Sequence, residues 1–213
     1  MDKNDFDNYI TKVRNNVSNI HNGFYVWRGL NKKEYNETYN KNKYFWGIVL
    51  SSLRLDWLLG IAKIFEEPKE NKEVISIPFL LKFVPEGDKK EKIKKEIDKQ
   101  KPILGNLWEW RCKILAHHDK VVADNQKDFY EEYSIKGGDI ENLLISIKDI
   151  LGLIKSSMLD HSEVYSFKIF QEESERDDEQ IIKKLEYFDQ ERKKHMEKFI
   201  KGEVDNLNFP PLN

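Results

Sequence analysis

The chain has 213 residues, of which 39% are hydrophobic and 35% charged, so it can build one large core only if its apolar residues gather into stripes. A net charge of −2 excludes a whole-protein field that attracts nucleic acid, and any polyanion site must be a local patch. The single cysteine, Cys112, excludes an intramolecular disulfide and fits a reducing compartment; with no apolar signal core behind Met1-Asp2-Lys3-Asn4-Asp5, the expected location is the cytoplasm.

Phe6, Tyr9, Ile10, Val13, Val17 and Ile20 recur at three- and four-residue spacings and predict an opening amphipathic helix. Gly23 and Gly29 bracket an expected loop carrying Phe24, Tyr25, Val26 and Trp27, and Asn31 with Glu34 resembles a capping pair for a short polar helix to about Tyr39. The segment from Lys43 to Glu66 is apolar on nearly every side, which predicts a helix at the centre of a bundle. Arg54, Asp56 and Lys63 within it argue against a membrane span, and Pro68 ends it.

Ser76-Ile77-Pro78 starts a short apolar helix, and Asp88 with Glu91 caps a lysine-rich one. Pro102 fits the first turn of a separate helix, in which Ile103, Leu104, Leu107, Trp108, Ile114 and Leu115 stand at core spacing. Asp139 caps the cleanest stripe: Ile140, Leu143, Leu144, Ile147, Ile150, Leu151, Ile154 and Met158. A last helix is expected from Ser174, with acidic residues in its first turns and Lys193, Lys194, Lys198 and Lys201 toward its end, a polarity that suits the helix dipole. No segment alternates with period two for long enough to predict a strand. The expected fold is all-α, with a helical bundle over residues 1–170 and a charged helix and tail over 171–213.

The most chemically loaded stretch runs from Trp108 to Lys120 and holds Arg111, Lys113, His117, His118 and Asp119. Arginine grips a phosphate through a planar fork of donors, and histidine exchanges protons near neutral pH. Beside a ribose 2′-hydroxyl and its phosphodiester, these groups suffice for RNA cleavage without a metal. The bare spacing is not specific, since Arg14 and His21 also fit it. The alternative makes Arg111 an ion-pairing residue at a helix end and the histidines a C-terminal cap. On an unbroken α-helix six positions turn a side chain about 120° away, so His118 rather than His117 would share a face with Arg111. His117 requires the helix to end or unwind near Ala116, or a partner arginine from another subunit.

The long apolar run Tyr44-Phe45-Trp46-Gly47-Ile48-Val49-Leu50-Ser51-Ser52-Leu53-Arg54-Leu55-Asp56 precedes Arg111-Cys112-Lys113-Ile114-Leu115-Ala116-His117-His118-Asp119-Lys120. Over roughly residues 1 to 160 this order resembles the abortive-infection U-type branch of the HEPN superfamily. The resemblance implies a HEPN-like helical bundle, commonly a homodimer, and a toxin or antiviral ribonuclease whose active pair is Arg111 and His117 where two copies meet. Where such enzymes often carry Asn or Asp after the arginine, this chain has Cys112. A non-catalytic HEPN-like module that binds RNA or a protein partner is the alternative, and a protein antitoxin or regulator is a candidate partner.

Asp119 either orients an imidazole or lies on the surface. Asp56 either reaches Arg111 or a histidine, or pairs at the bundle's polar edge. The lysines from Lys89 to Lys101 either track a phosphate backbone or form a solvated face diluted by Glu91, Glu96 and Asp98. Trp108 is expected in the core, and Trp110 at a dimer seam or against a base. Cys112 is read as a small buried residue and His195 as a packing residue of the last helix. No Cys/His set has zinc spacing and no glycine-rich loop could cradle a nucleotide, so neither a metal nor a cofactor is implied.

Overall fold

A computed structural model describes residues 2–68, 74–116, 126–159 and 168–201. Asp2 caps the first helix by accepting a hydrogen bond from the Asp5 amide at 2.8 Å, and helix α1 then runs without a break from Lys3 to Leu30. The loop expected between Gly23 and Gly29 is not there. Phe24 and Tyr25 are buried and continue the three- and four-residue spacing of the first stripe, and this burial outweighs a glycine cost of about 1 kcal/mol per helical position. Asn31 caps the end of α1, a 3₁₀ turn spans Lys33–Tyr35, and the short helix predicted there is α2, Asn36–Lys41.

Helix α3 is Lys43–Ile64, and α4 is Ile77–Leu81, capped by the Ser76 hydroxyl accepting from the Phe79 amide at 3.3 Å. The two helices expected on either side of Pro102 are one, α5, Asp88–Glu109, with the proline inside it. A π-helix over Trp110–Ala116 continues directly from α5. Then come α6, Gln126–Glu132, and α7, Gly137–Met158; the expected cap Asp139 is its third residue, and its carboxylate accepts from the amide of Lys136, which caps the helix instead. The last helix, α8, is Lys168–Ile200 and begins earlier than Ser174. No described residue lies in a strand.

The stripes of α1, α3, α5 and α7 meet in one apolar cluster, reaching from Phe6 and Val13 through Trp57 and Ile61 to Leu107 and Ile147. Helix α3 departs from its expected place at the centre. Its second half, with Trp57, Leu58, Ile61 and Ile64, is buried, but Tyr44 is 79% exposed, Ile48 69% and Phe45 60%. The described core reaches only one side of its first half, so a helix apolar all round keeps an open face. α3 is long and apolar enough to cross a membrane by length and composition alone, yet its second half lies in the bundle core.

Helix α8 places none of its described residues in that main cluster. Ile182 joins a smaller one with Leu30, Tyr39 and Trp46, and Lys41 of α2 pairs with Asp189. Close approach of α8 to α1 depends on Gly29. A Cβ there would stand 1.9 Å from Oδ2 and 2.9 Å from Cγ of Asp178, whose side chain is buried. Gly29→Ala should therefore push α8 away and cost about 1–3 kcal/mol. Gly47→Ala has nothing within 4 Å of its new Cβ on an exposed helical position and should add about 0.5–1 kcal/mol. Urea unfolding of both variants checks the pair, and a Gly29→Ala protein as stable as the parent would show that the contact is absent.

His21 lies between α1 and α7, packed on the Tyr25 ring at 4.5 Å between centroids. Burial disfavours its cation and lowers its pKa to about 4, against the opposing pulls of Asn22 and the Glu141 carboxylate. The fold thus holds the neutral imidazole, and the unfolded chain protonates first as the pH falls. The resulting stability is complete above 6.5 and drains as pH descends toward about 4, a contribution of order 1–3 kcal/mol. His21→Gln should flatten this part of the pH dependence. Urea midpoints at several values between pH 7.5 and 4.5 test it; identical pH slopes in the two proteins would contradict it.

Candidate functional site

The site begins with a tryptophan that the sequence placed elsewhere. Ile103, Leu107 and Trp110 follow one another at four- and three-residue spacing, which makes Trp110 the next core position after Leu107. Trp110 is 5% exposed, its indole N–H donates to the Tyr133 carbonyl at 2.8 Å, and its ring packs on Phe129 at 5.8 Å. The Arg54 guanidinium of α3 lies 4.4 Å from the ring centroid. The burial expected of the two tryptophans is therefore reversed: Trp110 is core, and Trp108 is 48% exposed.

Burying Trp110 turns the next residue, Arg111, onto the row of Trp108, three positions before it. The Arg111 guanidinium carbon stands 5.0 Å from the Trp108 ring centroid. Its Nη2 faces the Glu66 carboxylate at 3.7 Å, near enough for ion pairing but too long for a good hydrogen bond. Nη1 is buried and has no hydrogen-bond partner among the described residues. A buried donor on a permanent cation that lacks a partner is costly.

The backbone carrying Arg111 is unusual as well. Trp110–Ala116 is π-helical, a form that is rare in runs and frequent at functional sites. Regular α-helical geometry thus ends at Glu109, before Arg111 itself, so the α-helical phase does not hold across Trp110–Ala116. His117, His118 and Asp119 themselves lie outside the described residues. Lys113 points to Glu109, its ammonium 3.0 Å from that carboxylate, and the hydrogen bond raises its pKa. Cys112 is partly exposed rather than fully buried.

Among the described residues no ion pair or hydrogen bond joins Asp56 to Arg111. It is exposed on α3, with its carboxylate beside Gly23 of α1. The acid that reaches Arg111 is Glu66, just beyond the end of α3, and nothing in the local pattern singled it out. The lysine segment of α5 is a solvated face: Lys94, Lys99 and Lys101 pair with Glu91, Glu96 and Asp98 on their own helix, while Lys90 is nearly buried against Glu86.

A family model, HEPN_AbiU2, described as AbiU2, matches residues 3–181, well over half of the chain. Comparison with curated proteins and with solved structures finds no match.

Proposed function

The chain belongs to the AbiU2 family of HEPN proteins, and from that premise we propose that it is a metal-independent endoribonuclease of phage defence or growth arrest. The observation that carries the proposal is Arg111, held between Trp108 and Glu66 on a π-helix with one buried guanidinium nitrogen unpartnered. His117, or His118 beside it, takes the proton of a ribose 2′-hydroxyl. The 2′-oxygen then attacks the adjacent phosphorus while Arg111 stabilises charge on the phosphorane. A second imidazole protonates the departing 5′-oxygen, the P–O5′ bond breaks, and a 2′,3′-cyclic phosphate and a free 5′-hydroxyl remain. Two imidazoles are most simply supplied by two copies, with Arg111 and His117 of each at a shared cleft. The open apolar residues of α3 offer area for such a homodimer.

A non-catalytic helical module that binds RNA or a protein partner is the second reading. The Arg111–Glu66 ion pair favours it, because such a pair also holds an arginine that does no chemistry. Cleavage assays separate the two. Purified protein should cut single-stranded RNA in the presence of a chelator and leave DNA intact, with a rate that bends near the imidazole pKa. Arg111→Ala should lower the rate on the order of a hundredfold or more with little loss of stability, His117→Ala and His118→Ala should differ sharply, and light scattering should report a dimer. No cleavage across a broad RNA panel, or equal cleavage without Arg111 and both histidines, would sink the nuclease and leave the binding module.

A further inference from the structure

The chain has five tryptophans, and four of them pack into the two apolar clusters: Trp27, Trp46, Trp57 and Trp110. Trp108 joins neither cluster and is 48% exposed, so about half of its indole stays open to solvent. An exposed ring of this size calls for a reason, and its neighbour supplies one. The Arg111 guanidinium sits 5.0 Å from the ring centroid, ion-paired to Glu66 but with Nη1 unpartnered.

A flat aromatic ring and a planar cation three positions apart on one helical row match the two halves of a nucleotide. The cation meets the phosphate, and the ring meets the base that the same residue carries. Stacking requires a base whose face is free, so the arrangement suits a single strand, and it is tolerant of sequence because every base has a π-face. Leu104, one turn before Trp108, is partly buried against the main cluster and anchors this part of the row.

We propose that Trp108 is a base-stacking subsite of the Arg111 site, so that the ligand is single-stranded RNA held by one stacked base beside the phosphate on Arg111. The subsite rests on the ribonuclease reading for its choice of RNA, but it can be tested apart from cleavage. Stacking needs no 2′-hydroxyl, so a single-stranded DNA oligonucleotide serves as a ligand that cannot be cut through that group, and an abasic strand of the same length keeps the phosphates alone.

Binding of both strands is measured by fluorescence anisotropy, and intrinsic tryptophan emission is read in parallel. The base-bearing strand should bind the full-length protein more tightly than the abasic one and quench its emission. Trp108→Ala should weaken the base-bearing strand about tenfold or more and leave the abasic strand nearly unchanged, while Trp108→Phe keeps most of the preference. Arg111→Ala should weaken both strands. Trp108→Ala should still unfold cooperatively, and Trp108→Phe controls for the loss of a half-buried ring.

If Trp108→Ala leaves the preference for the base-bearing strand intact, or if neither strand binds, the subsite is refuted. It is refuted too if the substitution changes only the oligomeric state, which would make Trp108 a protein contact. RNA cleavage that survives Trp108→Ala unchanged would remove the subsite and spare the nuclease. Base-dependent quenching in a protein that cuts no RNA would keep the subsite and remove the nuclease.

Discussion

The arrangement around Arg111 depends on the burial of Trp110. Its ring is packed by Phe129, faced by the Arg54 guanidinium, and tied at its N–H to the Tyr133 carbonyl, so contacts from α3, α6 and the turn after α6 fix one side chain. Burying an indole of that size stabilises by several kcal/mol, and a cation over its face adds about 1 kcal/mol more. Once Trp110 faces the core, the helix phase is set. Arg111, about 100° further round, has to emerge at the core's edge beside Trp108 and Glu66. The switch from α- to π-helix begins at Trp110 itself, and the weaker backbone geometry of a π-helix is tolerable where a side chain is anchored this firmly.

Helix α3 shows the opposite situation, an excess of apolar surface with too little core to receive it. Its second half packs on α1 and carries Arg54 to the site, while Glu66 reaches it from just beyond the helix end. Its first half leaves Tyr44, Phe45 and Ile48 in the open, while Trp46, with Val49, Leu50 and Leu53 against it, joins the small cluster around Ile182 of α8. One element therefore supplies the bundle with a wall, the site with Arg54 and the chain leading to Glu66, and the surface with an open apolar stretch. Gly29 belongs to the same balance, since only a residue without a side chain lets Asp178 of α8 come down on α1.

The parts of this fold legible in the sequence are those in which the apolar spacing leaves one solution. The stripe of α7 from Ile140 to Ile154 and the Ser76 cap of α4 are of that kind, as is the all-α class. Punctuation by single residues misled where packing opposed it: Gly23 and Gly29 do not break α1, and Pro102 does not start a helix, because Phe24, Tyr25 and Leu107 keep the core face continuous. The reversed burial of Trp108 and Trp110 was within reach, since Ile103, Leu107 and Trp110 share a four-then-three spacing. The outward side of α3 was not, because an all-round apolar helix says nothing about how many neighbours it will find. Arg111 could be singled out from its motif, whereas Glu66, far away along the chain, becomes its partner only through the tertiary fold.

The central claim is chemical: Arg111 steadies a phosphate while the neighbouring 2′-oxygen attacks it. The most direct measurement uses a DNA strand carrying a single ribonucleotide, incubated with the protein in excess chelator, with the product ends identified by mass spectrometry. One cut is expected, at the 3′ side of that ribonucleotide, leaving a 2′,3′-cyclic phosphate, and no such product from Arg111→Ala. A strand left whole under conditions where all-RNA is cut, a cut elsewhere, or a product lacking the cyclic phosphate would contradict it.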